Sequence, residues 1–196
     1  MTLTTIFRST LLLSLAIGLP GCANDLMTQS AVEIEQQTKT LTFPGSPVEM
    51  LSAPQLQVRH FQELYYGYNT VYYNLAAYKS DQSANDTSYR LDFDANYGAD
   101  HSAATSRHYN LAKTDNGMAF PTNHLRHEMV RCQVFRDIGD GCLYRDRATV
   151  ELSLAELEAG RQSGMNLTLS SADKEYEHLY LPAQYVDGFL RAVQNK

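Results

Sequence analysis

From Tyr89 to Tyr97 the chain alternates without a break. Tyr89, Leu91, Phe93, Ala95 and Tyr97 are apolar or aromatic, while Arg90, Asp92, Asp94 and Asn96 are polar. This period of two predicts a strand with one buried and one wet face. Val71, Tyr73, Leu75 and Ala77 repeat the pattern upstream, so the polar stretch 80–88 reads as a hairpin loop between two strands. Downstream, Asp115-Asn116-Gly117 is a turn signal between segments 108–113 and 118–120. Val130, Cys132 and Val134 then share one face of a further strand. Cys142, Tyr144, Ala148, Val150 and Leu152 share a parity in the next, which puts both cysteines on the core side.

The period changes after Leu152. Ser153-Leu154-Ala155-Glu156 is a capping box, whose hydroxyl and carboxylate satisfy the first free amides of a helix. That helix should run to about Arg161 and end by Gly164. Segments 165–169 and 177–181 flank a second hairpin turn, and Pro182 opens a last helix where its missing N–H is harmless. Val186, Phe189, Leu190 and Val193 fall at i, i+3, i+4 and i+7 and form its docking stripe. One segment reads two ways: Phe61, Leu64, Tyr65, Tyr68, Tyr72 and Leu75 also fit a helical stripe. The expected class is mainly β, an antiparallel β-sandwich-like domain with one or two short C-terminal helices. The alternative is an α+β domain with one dominant antiparallel sheet.

The N-terminus follows neither pattern. Arg8 is the lone charge in residues 1–21, Leu11–Leu19 is an apolar run, and polar sequence follows Cys22. Spanning a bilayer takes about 17–25 apolar residues, so this run reads as the core of a signal peptide. Leu19-Pro20-Gly21-Cys22 resembles the lipobox of bacterial lipoproteins, with Pro20 where that family favours a small or β-branched residue. The resemblance implies cleavage before Cys22 and acylation of its thiol. With Ala23 and Asn24 where retention at the inner membrane would favour Asp, it further implies an outer-membrane address, facing the periplasm. Two or three acyl chains, at about 0.8 kcal/mol per buried CH₂, hold a soluble domain firmly where one is marginal. The competing reading is a leaderless chain that buries this apolar end.

On the lipoprotein reading, residues 1–21 are the signal peptide, 22–53 a lipidated N-terminus and tether, and 54–196 the β-rich domain. The tether contains Pro44 and Pro47, stops just before Pro54, and has room for a short helix around 31–37. Some thirty flexible residues reach about 30 Å on average. Pro44 and Pro47 equally suit the flanks of an edge strand.

Composition narrows the function classes. A hydrophobic content of 43% permits a real core. The net charge of −6 becomes −7 once Arg8 is removed with the signal, leaving no footprint for nucleic acid and no polybasic anchor for anionic lipid. Cys132 and Cys142 form an even pair in an oxidising compartment, so a disulfide leads over free thiols or a metal site. Closing so short a loop contributes roughly 2–3 kcal/mol.

Candidate chemistry is sparse. His124-Leu125-Arg126-His127-Glu128 lacks the order of a zinc-protease helix, and in a regular strand its two histidines point to opposite faces. Asp92–Gly98 resembles half a calcium loop, but Ala103 stands where a bidentate Glu is needed. There is no Gly-x-Ser-x-Gly elbow, P-loop or dinucleotide fingerprint, so no catalytic residue, metal or cofactor is assigned.

The aromatic usage is lopsided, with 13 Tyr and no Trp. Tyr65, Tyr66 and Tyr68 are a candidate partner surface, set against ordinary sheet packing with the hydroxyls at the rim. Cys132, Cys142-Leu143-Tyr144 and Leu181–Leu190 together resemble segments of small proteobacterial lipoproteins, a resemblance that implies address and fold and no catalytic residue. The expected function is a membrane-anchored envelope lipoprotein with a non-enzymatic binding or assembly role towards an envelope protein or peptidoglycan. The alternatives are a periplasmic hydrolase whose site is assembled from distant residues, and a small-ligand carrier.

Overall fold

The computed structural model describes residues 26–63, 67–80, 83–100, 107, 109–135, 139–170 and 175–196. In chain order the elements are α1 (Ala31–Gln37), β1 (Lys39–Thr42), β2 (Val48–Ser52), β3 (Leu56–Glu63), β4 (Gly67–Ser80), β5 (Ser83–Asp100), β6 (Leu111–Thr114), β7 (Ala119–Phe135), β8 (Gly139–Leu152), α2 (Leu154–Ser163), β9 (Met165–Ser170), β10 (Glu175–Leu181) and α3 (Ala183–Asn195). The fold is mainly β. Its strands form one curled antiparallel sheet, ordered β1-β2-β4-β5-β8-β7-β6-β9-β10, with β3 also lying along β4. Residues 76–80 of β4 pair with β2, and residues 67–73 pair with β3 on the same side.

The two layers of the expected sandwich come from this one sheet turning back on itself. β7 makes the turn: residues 119–121 pair with β6, and from Thr122 onward the strand pairs with β8. Strands distant in the sheet order consequently meet, and the Tyr73 hydroxyl of β4 donates 2.9 Å to the Tyr180 carbonyl of β10.

Alternation sets the core. Leu75, Leu91 and Val150 point inward, and α3 lays Tyr185, Val186, Phe189 and Leu190 over the same face, all of them buried. Tyr185 clamps the helix to the sheet. Its hydroxyl accepts from Leu75 N at 3.3 Å and donates to Pro54 O at 2.8 Å. Helix α1 then packs on α3 through Gly188, where an added Cβ would lie 2.4 Å from Ala31 O and 2.6 Å from Ile34 Cβ. A glycine inside a helix is unfavourable by about 1 kcal/mol relative to alanine, and here the close approach requires it.

Four expectations need correction. From Leu26 on, the chain belongs to the domain and is not a tether. Ser30 and Glu33 form a capping box on α1, Ile34 is fully buried, and β2 pairs with β4. Pro44 and Pro47 sit in the turn between β1 and β2, Pro44 following the edge strand β1 and Pro47 preceding β2, which is paired on both sides. The loop expected over 80–88 is almost all strand, since Lys79 pairs with Thr87 and Tyr78 with Ser88. The helical reading of 61–78 fails from Gly67, where β4 begins. Segments 118–120 and 130–134 belong almost wholly to one strand, β7.

Candidate functional site

The inward parity of β8 runs Cys142, Tyr144, Asp146, Ala148, Val150, Leu152, and Asp146 is the exception, a carboxylate with 0% exposure. Its place on the inner face follows from register: Ala95 of β5 lies opposite on one side and His127 of β7 on the other. The pairing of His127 depends on irregularity in β7. The register with β8 shifts twice, between His124 and Arg126 and again between Met129 and Arg131, so Leu125 and Val130 are extra, bulged residues.

These bulges change which residues share a face. His124 pairs with Ala148 and His127 with Asp146, so both histidines fall on inner-face positions, contrary to the opposite faces expected of a regular strand. Met129 and Cys132 follow on the same face, opposite Tyr144 and Cys142. The two cysteines are joined by a disulfide. Cys142 is buried and Cys132 exposed, because β8 lies inside the sheet and β7 runs along its rim.

A hydrogen-bonded chain crosses the inner face from this strand. His127 Nδ1 bonds Asp146 Oδ1, and the Tyr97 hydroxyl donates to Asp146 Oδ2 at 2.7 Å. The same hydroxyl accepts the backbone N–H of Arg107 at 3.0 Å. The Arg107 guanidinium lies 4.1 Å over the Tyr97 ring and donates to Glu177 Oε1 at 2.7 Å and to the Tyr109 hydroxyl at 3.3 Å. Glu177 has 1% exposure, and His60 Nε2 of β3 stands 3.4 Å from its other oxygen. The hydrogen bonds thus run from β7 to Glu177 of β10, and the contact with His60 extends the line to β3.

Burial shapes the electrostatics of this chain. It pushes the Tyr97 hydroxyl well above the ordinary phenol value, reinforced by the Asp146 carboxylate, and it raises Tyr109 against the opposing charge of Arg107. Burial also raises Glu177, partly offset by Arg107 and then His60. The Tyr97 phenol therefore stays neutral and acts as a hydrogen-bond donor to Asp146, while the Tyr109 hydroxyl accepts from Arg107. Tyr97, Tyr144 and His127 stack in sequence, with ring centroids 5.8 and 5.6 Å apart. Three buried atoms in or beside the chain, Glu177 Oε2, the Tyr144 hydroxyl and Asn69 Oδ1, have no hydrogen-bond partner among the described residues.

The outer face of the same strands carries an ion-pair ladder. Arg145 and Arg147 both grip Asp94, Arg145 lies 3.7 Å from Glu128, and Arg126 pairs with Glu128 at 2.8 Å. Burial works against the Asp94 charge, but the two arginines outweigh it and hold the carboxyl below its usual range. The Asp92–Gly98 segment is thus strand β5, its Asp94 occupied by arginines.

Between the two faces lies the rim itself. No described strand pairs with β7 on its other side beyond Pro121. Along this rim Leu125, Met129 and Val130 are 66%, 54% and 50% exposed.

The residues singled out from sequence divide accordingly. Cys132 and Cys142 are brought together, and His127 is drawn into the buried chain. Tyr65 and Tyr66, like Cys22, lie outside the described residues. Tyr68 sits in β4 opposite Phe61 in backbone register, its side chain outside the described set. Among the described residues no three His, Cys, Asp or Glu side chains cluster in a way that would hold a metal ion. Asp146 and Glu177 were missed, although an acidic residue at core parity was the signal: Asp146 within 142–152, Glu177 in step with Leu179 and Leu181. No protein family, curated protein or solved structure matches the chain.

Chemically the arrangement offers two things. An imidazole oriented by a buried carboxylate is the pairing that acid–base catalysis uses. A strand edge with no described partner strand is a template for another strand, since edge N–H and C=O groups can pair with one. A groove of about 350 Å³ between the 114–118 turn and α2 is lined by residues such as Asp115, Glu156 and Asn166, and no member of the buried chain lines it.

Proposed function

We propose that this protein is a cell-envelope lipoprotein, acylated at Cys22 and held at the outer membrane facing the periplasm, with a non-enzymatic binding or assembly role towards an envelope protein. The observation that supports binding is the rim of β7, where Leu125, Met129 and Val130 are exposed beside a backbone edge with no described partner strand. Such an edge suits a polypeptide added as a strand better than a glycan, because main-chain bonds supply the affinity. The buried chain behind it then has a structural task. Asp146 and Tyr144 hold the His127 ring and with it the stretch between the two bulges.

Two experiments test this reading. A fatty-acid analogue should label the wild-type protein and not Cys22→Ser; absence of label on the wild type removes the anchor. In-cell crosslinking should trap an envelope protein, and Leu125→Asp should reduce that capture several-fold without lowering the melting temperature. Capture of peptidoglycan alone, or capture indifferent to Leu125→Asp, contradicts the role given to β7. The Asp146–His127 pair favours a hydrolase as the second reading. Turnover of ester, amide or glycosidic substrates that is abolished by His127→Ala would establish it.

A further inference from the structure

Resting on the reading of β7 as the binding edge, we propose that one occupant of that edge is a second copy of this chain, its own β7 paired antiparallel with the axis beside His127. Symmetry limits the registers available. In an antiparallel pair, opposed residues alternate between hydrogen-bonded and non-hydrogen-bonded positions, and a two-fold axis cannot exchange the two kinds. One residue must therefore lie opposite itself.

The exposed stretch Leu125-Arg126-His127-Glu128-Met129 selects that residue. Centring on Arg126 sets two guanidinium groups against each other, and centring on Glu128 does the same with two carboxylates. Centring on Leu125 or Met129 leaves both charges facing uncharged or like-signed neighbours. Centring on His127 puts Arg126 opposite Glu128 of the second copy and Leu125 opposite Met129, each twice by symmetry. Opposite charges and apolar pairs directly across a ladder are the stabilising combinations.

The geometry of the single chain fits this register. Arg126 and Glu128 lie opposite Arg147 and Arg145 of β8, on the outer face. They are already 2.8 Å apart within one chain, and the Arg126 side chain is 61% exposed. Two such pairs brought together close into a four-membered alternating cluster. The bulges at Leu125 and Val130 bracket the regular run 126–129, so the regular ladder is the two Arg126–Glu128 pairs about His127, with Leu125 packing against Met129 at each end. Bulges ordinarily discourage indefinite edge pairing. Here they keep the contact short, and two anchored copies on one membrane gain effective concentration to offset that.

The test is a charge exchange on the full processed protein, with dimer measured by sedimentation in detergent and by crosslinking in membranes. Wild type should dimerise. Arg126→Glu and Glu128→Arg should each lower the dimer fraction at least tenfold, since each sets like charges opposite one another. The double exchange should restore it. Mixing the two single variants, differently tagged, should give a heterodimer, which also shows that neither variant is merely misfolded. Single variants that dimerise like wild type, or a mixture that stays monomeric, overturn the proposal. If wild type is monomeric yet Leu125→Asp still abolishes capture of an envelope protein, self-pairing fails and the binding reading stands. If neither dimer nor capture is seen, both fail.

Discussion

The two ends of the inner sheet face are filled in opposite ways. Near α3 the surface is Leu75, Leu91 and Val150 under Tyr185, Phe189 and Leu190, regular in register and closed by a helix. Towards the disulfide it is Tyr97, Tyr144, Asp146 and His127, overlaid by Arg107 and Glu177 and bordered by a twice-bulged strand. The first end is stabilised by apolar burial at about 25 cal/mol per Å². At the second, every buried polar group must find a partner or cost about 1–3 kcal/mol. Apolar burial is concentrated at one end, and buried polar chemistry, beside an edge that no described strand pairs, at the other.

The largest expected effect lies at the apolar end. Gly188→Val places atoms where Ala31 O and Ile34 already sit, and α1 should undock from α3 with a loss of about 3 kcal/mol or more. Gly160→Ala is the control. Its new Cβ would meet the flexible tip of Met165 at 3.3 Å, and the melting temperature should move little. Equal effects of the two would mean that the α1–α3 contact does not hold the domain together.

Next is the polar end. Asp146→Ala strips the partner from both the Tyr97 hydroxyl and His127, and should cost about 2–4 kcal/mol in chemical denaturation. Asp146→Asn keeps an acceptor for one of the two and should cost less. Because His127 lies between the bulges, exchange of backbone amides over 124–131 should quicken in Asp146→Ala while that of 71–77 in β4 stays slow. Uniform quickening would contradict the division of the sheet into two regions.

A smaller effect should appear in the pH dependence, and its sign follows from Glu177. Its carboxyl titrates above the ordinary 4.5 when folded, chiefly from burial. Between that value and the raised one the folded chain binds more protons than the unfolded chain, so this contribution to stability declines as pH rises through the window. Glu177→Gln should remove the decline. Asp94 acts in reverse: held down by Arg145 and Arg147, it contributes stability that is lost as pH falls below about 4 through its lowered value. A Glu177→Gln profile identical to wild type would place the carboxylate in a better-solvated site.

What sequence could show divides along the same line. The β5 alternation, the Ser153 capping box, the α3 stripe and the Asp115-Asn116-Gly117 turn are local patterns, and each formed as expected. The Cys132–Cys142 pairing needed only two strands in register. The bulges at Leu125 and Val130 were illegible because they answer to the register of β8 and leave no local periodic trace. Asp146 and Glu177 were hidden by type, since a charge at an inward position becomes stable only once Tyr97, His127 and Arg107 arrive from distant segments. Residues 39–52 look like tether in sequence because β1 is exposed at every position and β2 buries Leu51 alone, too little alternation to show.

The claim that the β7 rim is the working surface is tested most directly by a photocrosslinking amino acid placed at position 125 in living cells, with the exposed helix position 32 as comparison. A discrete protein adduct, a second copy or another envelope protein, should form from position 125 and not from position 32. No adduct at 125, or the same adducts from both positions, would contradict the account.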